Sequence, residues 1–250
     1  MCALAPADSF RSEDRNSWAE RWVRWIAKKN ALRGIEIGAC AMPVKFPAHA
    51  SVTYVDRDIS SQKAACGYAK DRRRVAVQDD AQVLSSFQPR TQDFVMANHV
   101  LEHMDDFVLA IESWLRATKP RGFVFASVPD MCDPLWQTGE RFRMATKPGH
   151  FFDEYRRNTS SHDDEGAIML LGMQQAALDW PGLTPARLAG AEAELKQKPY
   201  LTHRHTFTYS TLGKTLTRAA RLLRFRVVDL YTARRGAFNM QEHRMVLQPL

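Results

Sequence analysis

Five histidines stand where they can do chemistry: His99, His103, His150, His203 and His205. Imidazole titrates near neutrality, so it suits the removal of a proton from a hydroxyl nucleophile. His203 and His205, in "THRHTF", would share one face of a strand, because strand side chains alternate with period two. Together with His150 they fall in an irregular stretch, while His99 closes an apolar run. His99, His150, His203 and His205 are therefore the candidates for catalytic base and for positioning a reacting group. A three-histidine metal site is the other reading of the same residues; no metal ligand set is assigned. His99-Val-Leu-Glu102-His103 also satisfies H-x-x-E-H, a zinc-hydrolase pattern that needs both histidines and the glutamate on one helix. The strand-like "DFVMAN" that precedes it argues against such a helix.

A second group of residues suits binding of a nucleoside. In an open parallel sheet, ligands lie outside the carboxyl ends of the strands, so the residues just after each apolar run are informative. The first run ends "EIGACAMP", with Glu36 before a tight turn, Gly38 where backbone can approach a ligand, and small Ala39 after it. Cys40 and Met42 stand where a dinucleotide fingerprint needs glycine, so a ligand without pyrophosphate fits better. Asp56 ends the second run twenty residues after Glu36, a spacing at which a carboxylate can accept from both ribose hydroxyls. Asp79 and Asp80 end the third run, where one can bond an adenine amino group or cap a helix.

These positions require a particular scaffold. Residues 16 to 29 read as an amphipathic helix, with Trp18, Trp22, Val23 and Ile26 at helical spacing. "RGIEIG", "SVTYVDRD", "RRVAVQDD", "QDFVMANHV" and "RGFVFASVPD" read as five strands, with a helix in "LEHMDDFVLAIESWLRAT" between the last two. Strands separated by helices imply a mostly parallel sheet with helices on both faces. From about 131 to 205 the β-pattern stops, and this stretch reads as a helical and loop-like insertion or lid, with helices near 167 to 178 and 185 to 196. A helix near 211 to 223 then leads to "RVVDLYTA" and "HRMVLQPL", a terminal antiparallel hairpin. The expectation is one α/β domain over residues 1–250, beginning with an N-terminal helical segment over about 1–30.

Composition sets the outer limits. At 250 residues and 45% hydrophobic content the chain can bury a full core, which excludes disordered and fibrous classes. No stretch approaches the about 20 apolar residues of a membrane span, and a soluble cytoplasmic protein is expected. Cys2, Cys40, Cys66 and Cys132 are scattered without a C-x-x-C pair, and reduced thiols are expected. Lys plus Arg outnumber Asp plus Glu by 35 to 28, a formal +7. The basic residues form short clusters without interleaved aromatics, which fits a solvated surface or an anionic acceptor better than nucleic acid.

Taken in order, "EIGACAMP", "YVDRD", "DFVMANHVLEH" and "LRATKPRGFVFASVPD" resemble the signature blocks of class I S-adenosylmethionine-dependent methyltransferases of the type 11 kind, over about residues 30 to 130. "KPGHFFDEYRRNT" and "YLTHRHTFTYSTL" resemble a bacterial subgroup found with polysaccharide and glycosyltransferase genes. The resemblance implies a Rossmann-like seven-stranded sheet, with S-adenosylmethionine (leaving as S-adenosylhomocysteine) across strands 1, 2 and 4. It implies Glu36, Gly38 and Ala39 as the cofactor turn, Asp56 with Arg57 as the ribose end, and Asp80 beside Asp79 as the adenine contact. Asn98 and His99 would lie next to the transferable methyl. Cys40 and Met42 depart from the family's glycines, and Arg121 departs from its "KPGG" turn. The expected activity is in-line methyl transfer to an oxygen of a sugar, glycoconjugate or other small molecule, with histidine-assisted deprotonation. A non-catalytic binding protein of the same fold is the alternative.

Overall fold

The computed structural model describes residues 10–11, 15–27, 31–39, 43–57, 75–132, 145–157, 184–197, 203–235 and 240–250. In chain order these form β1 (Phe10–Arg11), α1 (Arg15–Ala27), β2 (Leu32–Ile37), β3 (Ala50–Asp56), β4 (Val75–Gln78), β5 (Gln92–Asn98), a 3-10 turn (Leu101–His103) and α2 (Phe107–Ala117). Then follow β6 (Thr118–Pro129), α3 (Pro148–Arg157), α4 (Pro185–Gln197), α5 (Tyr209–Leu223), β7 (Phe225–Arg235) and β8 (Met240–Pro249).

All the strands join one sheet in the order β1-β7-β8-β6-β5-β2-β3-β4. Pairings from β4 through β6 are parallel, and β8 runs antiparallel to both β6 and β7. The chain winds from β2 outward to β4 and then starts β5 on the other side of β2, which puts the switch in strand order between β2 and β5. A crevice opens at the carboxyl ends of strands at such a switch.

Central parallel strands are covered on both faces, which is why β5 and β6 read as nearly continuous apolar runs. Alternation sorts their side chains into two cores. Phe94, Met96, Phe123 and Phe125 pack with Trp18 and Val23 of α1. Val95, Ala97, Val124 and Ala126 pack with Ile111 and Trp114 of α2, Phe151 of α3 and Leu212 and Leu216 of α5. Gly34 is required on β2 because a Cβ there would run into the Phe94 ring. The loop after β4 is docked on α2: Trp114 Nε1 donates to the Ala81 carbonyl at 2.7 Å, and the Arg116 guanidinium donates to the carbonyls of Val83, Leu84 and Phe87.

Four features depart from the sequence reading. An eighth strand, the two-residue β1, lies in the segment expected to be helical; Arg11 holds it to β7 through both oxygens of Asp229 and over the Tyr231 ring. The insertion carries α3 where the sequence pattern implies loop. Of "THRHTF", the described residues 203–207 are irregular, tied to the end of β6 by a single bridge between Phe207 and Asp130. Cys132, just past β6, is disulfide-bonded, where reduced thiols were expected; spacing along the chain carries no signal for the pairing. The helix expected near 167–178 lies outside the described residues. Among the described residues, no helix is long and apolar enough to cross a membrane.

Candidate functional site

The turn after β2 is shaped by two residues. Gly38 adopts φ +62°, its N–H donates to the Val55 carbonyl at 2.9 Å, and a Cβ on it would stand 2.8 Å from Val100 Cγ2. Any other residue would carry both left-handed strain and a clash with Val100, so this tight turn requires glycine. Glu36 is buried, and its Oε1 accepts from the Val44 N–H at 2.9 Å, so it braces the far end of the loop. Ala39 is buried beside the turn. On β3, Asp56 is buried at the strand end with Oδ1 accepting from the Arg57 N–H, while Arg57 is exposed.

Asp79 and Asp80 divide their duties. Asp79 spends both oxygens on its own loop, accepting from Ser85 Oγ, the Asp80 N–H and the Ser86 N–H at 3.0, 2.8 and 2.7 Å. Burial pushes its carboxyl up, but the bonds from Ser86, Ser85 and Asp80 outweigh it and hold the group below its ordinary value. Asp80 is exposed and accepts from the Gln82 N–H, so it is the one with an edge turned to solvent.

Asn98 ends β5 on the other side of the switch. Its Oδ1 accepts from Ser127 Oγ at 3.0 Å, and its Nδ2 is buried with no hydrogen-bond partner among the described residues. A buried amide left over is uncommon in native proteins and marks a place where a ligand acceptor belongs.

His99 follows at φ 56°, a left-handed conformation rare outside glycine and typical of sites where the backbone is held for a purpose. Its N–H donates to the Ser127 carbonyl at 2.9 Å. Its Nε2 lies 2.7 Å from Glu242 Oε2, and its Nδ1 lies 3.6 Å from Glu102 Oε1. Glu242 is in turn fixed by Arg244 Nε at 2.7 Å, and both are fully buried. They come from the start of β8, which its antiparallel sense delivers to the carboxyl ends of β5 and β6.

The remaining histidines form two groups. His150 and Glu154 lie one turn apart on α3, and the two oxygens of Glu154 meet His150 Nε2 at 2.9 Å and His205 Nε2 at 3.2 Å. Burial raises the Glu154 carboxyl, yet the two imidazoles hold it below its ordinary value, and the bond to Glu154 raises His150. His203 stacks edge-to-face on His103, ring centroids 4.9 Å apart, beside Glu102. The Glu102 carbonyl accepts the N–H groups of Arg204 and His205, which fastens the two groups to the turn after His99.

Glu36, Gly38, Asp56 and Asn98 thus gather at adjacent strand ends, with His99 next to them. His150 and His205 meet through Glu154, whereas His203 joins His103 and not the other two. Residues 99–103 form a strand end and a 3-10 turn, not the single helix that H-x-x-E-H hydrolysis requires. Sequence reading missed Glu154, Glu242 and Arg244; the i,i+4 spacing from His150 was a usable signal for Glu154, and nothing local points to the other two.

The strand order, with its one reversed strand between β6 and β7, is that of a Rossmann-like methyltransferase fold. Residues 35–126 match the model of a methyltransferase domain. A Rhodobacter sphaeroides structure described as putative Zn-dependent alcohol dehydrogenases is 13% identical with a TM-score of 0.54, over 96% of this chain and 91% of that chain. S-adenosylmethionine-dependent methyltransferases from Methanosarcina mazei (15% identity, TM-score 0.49, 89% and 94% covered) and Aquifex aeolicus (9%, 0.47, 92% and 88%) are also similar. At such identities the likeness is one of fold alone. No curated protein matches the sequence.

Proposed function

We propose that this chain is an S-adenosylmethionine-dependent methyltransferase that methylates an oxygen of a small-molecule or glycan acceptor. The observation that carries the cofactor reading is the Asn98 Nδ2, buried without a hydrogen-bond partner among the described residues at the carboxyl end of β5, beside the switch in strand order. Asp56 would accept from the ribose and Asp80 from the adenine amino group. The cofactor, when bound, supplies an electrophilic methyl group on a sulfonium.

The chain's own part is alignment and proton removal. His99 donating through Nε2 to Glu242 keeps Nδ1 as the basic nitrogen, and Arg244 holds Glu242 in place, the arrangement of a carboxylate-oriented base. A proton taken from the acceptor would rest on Nδ1, which faces Glu102. Residues 131–205 would cover the acceptor side, with His150, His203 and His205 placing the acceptor. The likeness of two segments there to a polysaccharide-associated subgroup supports a sugar or glycoconjugate, and the +7 charge suits an anionic one. A cytoplasmic setting fits the cofactor.

Calorimetric titration with S-adenosylhomocysteine tests this reading. Binding near one per chain is expected, with Asp56→Ala weakening it about 10-fold or more. In an acceptor screen, His99→Ala should lower turnover about 100-fold while cofactor affinity stays. Absence of binding by the wild-type protein removes the proposal.

A further inference from the structure

We propose that His150, Glu154 and His205 form a binding site for one divalent transition-metal ion of the zinc class. Their donor atoms all lie within 4.8 Å of one another. One Glu154 oxygen lies 2.9 Å from His150 Nε2 and the other 3.2 Å from His205 Nε2, so the carboxylate already stands between the two imidazole nitrogens. Two nitrogens and one carboxylate oxygen are the donor set of open zinc sites, in which three protein ligands leave a further position.

The three side chains are held in place before any ion arrives. α3 presents His150 and Glu154 on one face, one turn apart. His205 belongs to an irregular segment whose backbone is pinned on both sides: its N–H donates to the Glu102 carbonyl, and Thr206 exchanges bonds with Thr146. Its ring is walled by Phe151, centroids 4.8 Å apart, and Phe151 stacks on Phe207. Such a packed surround fixes ligand orientation and limits water. The side chains of His205 and Glu154 are 0% and 2% exposed and that of His150 is 27% exposed, so the open side of the group lies at His150.

The neighbouring Glu102, His103 and His203 are a weaker set. Glu102 also faces His99, 3.6 Å from its Nδ1. They serve instead as an internal control. An ion at the His150 group would fasten α3 to the segment at 203–208. Its open position would take water or an acceptor oxygen; the acceptor part rests on the methyltransferase reading, and the binding of the ion does not.

The test is titration of the chelator-treated full chain with Zn2+ alone and with Co2+ alone. One ion per chain is expected, with the visible absorption of four-coordinate cobalt. His150→Ala, at the solvent edge, and Glu154→Gln should each weaken binding beyond the about 10- to 100-fold that loss of a supporting partner costs. His203→Ala should leave stoichiometry and affinity unchanged. Circular dichroism checks that each variant is folded, and the wild-type cobalt spectrum needs no variant. A folded wild-type chain that takes up no stoichiometric ion, a six-coordinate cobalt spectrum, binding that survives His150→Ala, or binding lost in His203→Ala would each overturn the proposal. S-adenosylhomocysteine binding in the same samples tests only the methyltransferase reading, so the two can fail separately.

Discussion

Asn98 offers two atoms, and the fold uses one. Ser127 fixes the carbonyl side, so the amide side is oriented as well, and leaving it buried without a partner costs about 1–3 kcal/mol. A ligand acceptor at that point recovers this cost only when bound. Asn98→Ala removes the idle donor along with the bond from Ser127, and the two effects oppose each other in the free protein. The expected result is a nearly unchanged denaturation midpoint with S-adenosylhomocysteine affinity lowered about 10-fold. A drop in stability at constant affinity would show that Asn98 serves packing alone. His99 and Glu242 pose the same kind of question at the next residue, where a non-glycine backbone at φ 56° holds a ring against a buried carboxylate.

At the scale of elements, the α5 helix illustrates what local chemistry contributes. Thr208 accepts from the Thr211 N–H at 3.2 Å, and Thr211 Oγ1 accepts from the Thr208 N–H at 3.0 Å, a reciprocal cap that starts the helix carrying Leu212, Leu216 and Ala219 into the core. Thr208→Ala should destabilise by about 1 kcal/mol in chemical denaturation. Exposed Thr217→Ala should stay within about 0.5 kcal/mol; equal effects at both sites would mean the cap contributes nothing. The central strands and α2 were legible because burial on both faces writes unbroken apolar runs and an amphipathic helix writes a 3.6-residue period. β1 was not, since two residues carry no period and its hold comes from Arg11 reaching Asp229, 218 positions away. α3 was missed because "PGHFFDEYRR" is short and mostly polar, although Pro148 at its first turn was a start signal. "THRHTF" alternates like a strand, but over residues 203–207 its neighbours offer one bridge, the Glu102 carbonyl and Thr146 in place of a ladder.

For the whole molecule, the same contrast separates the two halves of the site. The nucleoside end was legible because each acid directly follows its own strand, whereas the histidines were named without their acids: Glu154 is 51 positions from His205 and Glu242 is 143 from His99. Only the winding of the sheet brings them together. That winding also makes one strand-end carboxylate a term in global stability. Asp79 links β4 to β3 through its N–H on the Asp56 carbonyl and, through its side chain, holds the loop that docks on α2. Its folded pKa lies below the unfolded value of about 3.9, so the native state favours the ionised form. Its contribution is therefore complete above about pH 5 and is lost as pH falls through the unfolded value and then the folded one. Urea denaturation of wild-type and Asp79→Asn protein from pH 7 to pH 3 should show the variant less stable at neutral pH, with the gap closing towards pH 3. A gap that stays constant with pH would mean that the charge on Asp79 does not set the acid limb, and that its loop is held by the serines in either protonation state.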